Sequence, residues 1–177
     1  MAGELIQGDW QFEFRGLLLA KSNGYRVQQA DGLDTLPDVR RSKVERPRAS
    51  GSLVLPNYAS ERVVTLEMRI LGDTDDQVRQ RIDALAEAMS LIDEPAELVY
   101  KLPGIDARTV MCRPTRRSIP TDRDLTVRAP QAKVQLIAED PLIYSAEEFS
   151  DSTGVGSVVG GLEFPLSFPL KFGTATP

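Results

Sequence analysis

Apolar residues recurring at every second position dominate this chain, and a period of two commits a segment to a strand with one buried face. The clearest run sets Val64, Leu66, Met68 and Ile70 on one face and Val63, Thr65, Glu67 and Arg69 on the other. Trp10, Phe12 and Phe14 alternate with Gln11, Glu13 and Arg15 in the same way. Leu98, Tyr100 and Leu102, then Val110 and Cys112, repeat the pattern around Pro103-Gly104. Leu125 with Val127, and Ala132, Val134, Leu136 and Ala138, supply two more strands. Asn23-Gly24, between Leu17–Lys21 and Tyr25–Gln29, predicts a hairpin, and Asp31-Gly32 a second turn. The expected fold is mainly β with about seven or eight strands, an antiparallel sandwich or barrel.

One segment breaks the alternation. Val78, Ile82, Leu85 and Met89 recur at steps of four, three and four, which predicts a helix over about 74–91. Thr74 and Gln77 stand at capping-box spacing, acids occupy the first turn, and Pro95 follows as a stop. The class is therefore α+β. Asp73, Asp75 and Asp76 suggest a calcium loop only briefly. The glycine and closing glutamate of that pattern are missing, and capping accounts for the acids without a metal.

Composition removes several chemistries. The 177 residues include no histidine and one cysteine, so Ser-His and Cys-His pairs and an intrachain disulfide are excluded. Cys112 shares the strand period with Val110 and reads as a small buried hydrophobe. Gly154-Val155-Gly156 lacks the third glycine and the helix of a phosphate loop. Glu147, Glu148 and Asp151 read as a solvated face. No catalysis and no cofactor are expected. The N-terminus has no basic start, and Leu17-Leu18-Leu19-Ala20 is too short for a signal core or a membrane anchor, so a cytoplasmic origin is expected.

Charge is segregated. Net charge is −5, from 21 Lys+Arg and 26 Asp+Glu. Two stretches, Val39–Arg48 and Arg113–Arg128, hold 10 of those basic residues and 3 of the acids. The rest carries 11 basic against 23 acidic residues. The first stretch contributes Arg40, Arg41, Lys43, Arg46 and Arg48 without an apolar face, and strand-like sequence resumes at Leu53 and Leu55. It reads as a long protruding hairpin arm over about 38–57. The second, with Arg113, Arg116, Arg117, Arg123 and Arg128, reads as another hairpin turning near Pro120-Thr121-Asp122. Aromatic residues are not interleaved with these arginines, so base-stacking platforms are absent and nucleic-acid recognition is not expected. Two basic projections on an acidic body suit a ring, where one copy's arm reaches the body of the next.

Residues 148–177 differ from the rest. A Gly/Ser/Val-rich run leads to an extended strap in which Phe164, Phe168 and Phe172 recur every four residues among prolines that forbid a helix. Such a strap docks on its own domain, on a neighbour, or leads into a second domain.

The order of these signals resembles the N-terminal, tail-tube-like domain of the distal tail proteins of bacteriophages with long non-contractile tails. The likeness runs over about residues 8–147. It rests on Asn23-Gly24-Tyr25, Asp31-Gly32-Leu33, the basic insertion and Arg62-Val63-Val64-Thr65-Leu66. Beyond the capped helix it rests on Leu98 to Gly104, Arg108-Thr109-Val110 and a closing strand through Asp140-Pro141 to Tyr144. The resemblance implies a β-sandwich flanked by one helix, six copies in a ring, and an arm from each copy wrapping its neighbour. It implies contacts with the major tail tube protein, a tail-tip or tail-associated hub protein and the tape measure protein. DNA would pass through the channel without specific binding. The place of such a protein is the virion tail tip, after assembly in the host cytoplasm. Many family members continue into a second, carbohydrate-module-like sandwich. Here only the strap is present, so the protein is a short form or the chain is the ordered part of a longer one. The alternative function is a monomeric β-sandwich module that binds carbohydrate or protein, which requires a rim of exposed aromatics.

Overall fold

A computed structural model of the chain describes residues 3–41, 43–45, 50, 52–54, 56–119, 124 and 127–147, with backbone alone for 43–45 and 52–54. The chain divides into the units Met1–Glu147 and Glu148–Pro177, and every described residue belongs to the first. In chain order the elements are β1 (Gln11–Phe14), β2 (Leu17–Leu19), β3 (Tyr25–Asp31), β4 (Val39–Arg40), β5 (Lys43–Glu45), β6 (Ser52–Val54) and β7 (Tyr58–Ala59). They continue as β8 (Arg62–Ile70), α1 (Asp75–Ala88), β9 (Ala96–Lys101), β10 (Arg108–Ser118), β11 (Gln131–Ala138) and β12 (Tyr144–Ser145).

Eight strands form one antiparallel sheet in the order β2-β1-β9-β10-β11-β8-β3, with β12 beside β10. β10 makes this sheet a sandwich. Its first half, Arg108–Cys112, pairs with β9, and its second half, from Arg113, pairs with β11 across a bulge between Pro114 and Arg116. A strand that changes partners through a bulge turns the corner between two facing sheets. Phe12, Phe14, Leu98, Tyr100, Val110 and Cys112 point inward from one wing. Val64, Leu66, Met68, Ile70, Val134 and Leu136 meet them from the other, all fully buried.

Period two is obeyed almost everywhere, and its exceptions have physical causes. Glu13, expected on the polar face, is buried because the N-terminal segment folds over it. Its carboxylate accepts from Gly3 N–H at 3.1 Å and Leu5 N–H at 3.2 Å. Val99, on the same outer face, is buried by that segment too. Asn23-Gly24 does not join paired strands. Lys21–Asn23 is a 3₁₀ turn closed by Gly24 N–H to Lys21 O, β2 pairs with β1, and β3 pairs with β8. The two-residue hairpin lies earlier, at Arg15-Gly16, where both φ values are positive as a type I′ turn demands. Val127, expected in a strand, is an exposed turn residue, and Leu125 lies outside the described residues.

α1 starts at the expected cap: Thr74 Oγ1 accepts from Gln77 N–H at 3.2 Å, and Gln77 Oε1 accepts from Asp73 N–H at 3.0 Å. Val78, Leu85 and Met89 are buried and Ile82 packs at the core's edge. The helix ends at Ala88, well before Pro95. No cation of its own occupies the last turn, and distant arginines serve the orphan carbonyls there. Arg15 Nη1 donates to Ala88 O at 3.1 Å and to Glu87 O at 3.3 Å, and Arg117 donates to Ala86 O.

Cys112 is fully buried, and desolvation pushes its thiol from the ordinary 9.0 up to about 12. The folded chain should therefore resist Ellman's reagent at pH 8, with one thiol released in urea. Equal rates in the two conditions would contradict this burial. Because the folded thiol keeps a proton that the unfolded one loses, its contribution is complete below about pH 9 and is lost as pH rises toward about 12. The slope is about 1.4 kcal/mol per pH unit within that window.

Candidate assembly interface

The basic insertion is a hairpin. β4 pairs with β7 (Val39 with Ala59, Arg40 with Tyr58), and β5 pairs with β6 (Lys43 with Val54, Val44 with Leu53, Glu45 with Ser52). The registers of the two ladders differ by one residue. Among the described residues neither ladder joins the main sheet. The seven residues 39–45 span about 23 Å if extended. Arg40 and Arg41 are exposed, and among the described residues neither has a carboxylate within 4 Å. Lys43 and Leu53 sit on the paired backbone; Arg46, Arg48 and Leu55 lie outside the described residues.

A buried cation fixes the arm's root. Arg62, 8% exposed, begins β8 on the inward parity of Val64 and Leu66. Its Nη1 donates to Gly32 O, to Leu33 O at 3.3 Å and to Thr35 O at 2.8 Å, while Nε donates to Pro141 O at 2.9 Å. One guanidinium therefore ties the segment entering the arm to the strand leaving it and to the Asp140-Pro141 turn. That turn is fixed in its own right: Asp140 accepts from Leu142 N–H at 3.0 Å and from Tyr144 Oη at 2.6 Å. The tyrosine bond, more than the backbone one, holds the Asp140 carboxyl below its ordinary 3.8. Around the root, Leu36 (82% exposed), Tyr58 (62%), Val39 and Val63 present apolar surface to solvent.

The second basic stretch is used differently from the expectation. β10 and β11 do form a hairpin, but three of its arginines are struts within the chain rather than projections from it. Arg128 Nε meets Asp75 Oδ1 at 2.7 Å at the N-terminus of α1, and its Nη1 donates to Asp73 O. Arg117 serves the other end of the helix. Arg113 bonds Glu139 and donates to Asp93 O at 3.2 Å. Arg116 is exposed beside Lys133, and Arg123 lies outside the described residues, as do Phe164, Phe168 and Phe172. A charge run cannot tell a projecting arginine from one whose carbonyl acceptors arrive from elsewhere in the chain.

Sequence reasoning also missed Trp10. Its backbone is left-handed (φ 60°), its N–H donates to Lys101 O at 2.7 Å, and its indole Nε1 donates to Val27 O at 2.7 Å. It thereby bridges the β1 wing to the open edge of β3, with its ring edge-on to Phe12 at 5.9 Å.

Among solved structures, the SPP1 Dit protein superposes on 76% of this chain with a TM-score of 0.59 at 17% identity. The chain shares that fold. Dit is described as a paradigm of the hub adsorption apparatus of phages infecting Gram-positive bacteria, and this chain spans about half (51%) of its length. A looser likeness, TM-score 0.41 at 16% identity, covers 82% of this chain and all of the tube-terminating cap of the anti-feeding prophage. No family model and no curated protein sequence matches the chain. The mainly β architecture with one helix, and the kind of protein that the sequence resembles, agree with the fold of Dit.

Proposed function

We propose that the chain is a non-catalytic structural hub of a phage tail tip. Six copies form a ring that joins the tail tube to the tip complex around the DNA channel. The observation that carries this reading is the hairpin arm, which among the described residues pairs only with itself and springs from a body with the fold of Dit. A closed ring needs one heterologous contact repeated about an axis, and an arm held at a rigid root supplies one half of it. Its unpaired Arg40 and Arg41 suit the acids of a neighbouring body. In this reading the major tail tube protein lies on one side of the ring and a tip or tail-associated hub protein on the other. The tape measure protein is met at the channel, and the acidic body keeps DNA from adhering there.

A carbohydrate module has less to support it. Of the three exposed aromatics among the described residues, Trp10 spends its indole N–H on Val27 O, Tyr144 its hydroxyl on Asp140, and Tyr58 stands alone at the arm's root, so they form no shared rim. Replacing residues 40–50 by a short Gly-Ser link should abolish the hexamer in light scattering while far-UV circular dichroism and cooperative unfolding persist. A hexamer that survives the replacement would show that the arm is not the contact.

A further inference from the structure

Two exposed surfaces of the body repel themselves and complement each other. On the outer face of the second wing, Arg26 of β3 stands directly opposite Arg69 of β8, and like charges so placed are unfavourable. Across from Arg69 on its other side is Gln131, which is neutral. Glu67, the nearest acid along the strand, is taken by Lys133 at 2.5 Å. Among the described residues neither arginine has a carboxylate within 4 Å. The groove beside Arg26 adds one more cation, Lys21, and one acid, Asp9.

The second surface is the solvent face of α1. Asp76, Gln80, Asp83 and Glu87 follow at steps of four, three and four and are all exposed. Asp83 and Glu87 form a like-charge pair one helical turn apart. Among the described residues Arg79 flanks this stripe without an ion pair within 4 Å, whereas Arg128 has engaged Asp75, which lies off the stripe. At about 100° per residue the stripe lies opposite Val78, Leu85 and Met89, the side chains α1 buries. Leu85 and Met89 belong to the same core cluster as Met68 and Ile70 of β8, and Arg69, between those two in sequence, points the other way. The arginine pair and the acidic stripe therefore face outward on opposite sides of one core. A head-to-tail ring requires two different, complementary surfaces so disposed, and a two-fold dimer does not.

We propose that, in the ring put forward above, the acidic stripe of α1 in one protomer docks on the Arg26–Arg69 pair of the next. This contact is additional to the arm and rests on the ring reading. Exposed ion pairs are individually weak, so the contact sets orientation and closure rate and weakens with salt, while the arm supplies area.

The test uses full-length chains carrying R26E/R69E or D83K/E87K, compared with the parent by sedimentation velocity at 50 mM salt. Circular dichroism verifies that each variant is folded. Each double variant should need at least tenfold more protein than the parent to form rings. An equimolar mixture of the two should recover rings at the parent's concentration, because alternating copies restore every contact and six is an even number. Rings in either double variant at the parent's concentration would overturn the proposal, as would a mixture that fails to recover. A parent that never forms rings overturns the ring reading itself, and this contact with it. Duplex DNA of 30 base pairs serves as a further probe. Binding lost in R26E/R69E with rings unchanged would assign the arginine pair to a polyanion instead.

Discussion

Gly32→Ala should lower stability in urea unfolding by about 2–5 kcal/mol, roughly twice the effect of the same change at Gly16. Both glycines have positive φ, +90° and +76°, so alanine pays left-handed strain of about 1–2 kcal/mol at either. Only the surroundings differ. A Cβ on Gly16 meets nothing within 4 Å, whereas one on Gly32 would lie 2.0 Å from Val63 O, a backbone atom that moves only with β8. Overpacking of that kind adds about 1–3 kcal/mol to the strain. Because Gly32 begins the segment that leads to the arm, the variant should also show faster proteolysis within residues 39–59. Gly16 and Gly32 variants of equal stability would mean that the close approach of the arm's root to β8 does not exist in solution.

Arg62→Leu should have the second-largest effect. The guanidinium donates to carbonyls of Gly32, Leu33, Thr35 and Pro141, and removing it leaves those acceptors in a site where it was itself 8% exposed. Hydrogen bonds to a charged group contribute about 1.5–3 kcal/mol each and are not additive when shared by one side chain, so a net loss of about 2–4 kcal/mol is expected. Arg62→Lys should recover less than half of that, because an ammonium cannot span acceptors on two sides with a planar fork. A leucine variant within about 0.5 kcal/mol of the parent would place the weight of the arm's root elsewhere.

What the sequence disclosed, and what it hid, follows from where each signal is written. β8 and β11 bury one face completely and expose the other, so their period is explicit in the residues. α1 was equally legible from its stripe and its Thr74 cap. Asn23-Gly24 misled because a turn signal is local while strand pairing is not: the residues do turn, but the strands on either side belong to different wings. Glu13 was hidden for a related reason, since its burial is made by a segment eight to ten residues away. Arg62 had a signal that could have been used. It falls on the inward parity of Val64 and Leu66, and a charge at a core-facing position asks at once for buried acceptors. Of the interface, the arm was readable as a basic run without an apolar face. The Arg26–Arg69 pair was not readable, because it exists only once the β3–β8 register brings the two together.

The proposed hub stands on self-association, and sedimentation velocity of the purified chain tests it most directly. At micromolar concentration and low salt, a boundary is expected at six times the 19.5 kDa chain mass, shifting toward the single chain as salt rises. A boundary at 19.5 kDa throughout, with the arm intact, would contradict it.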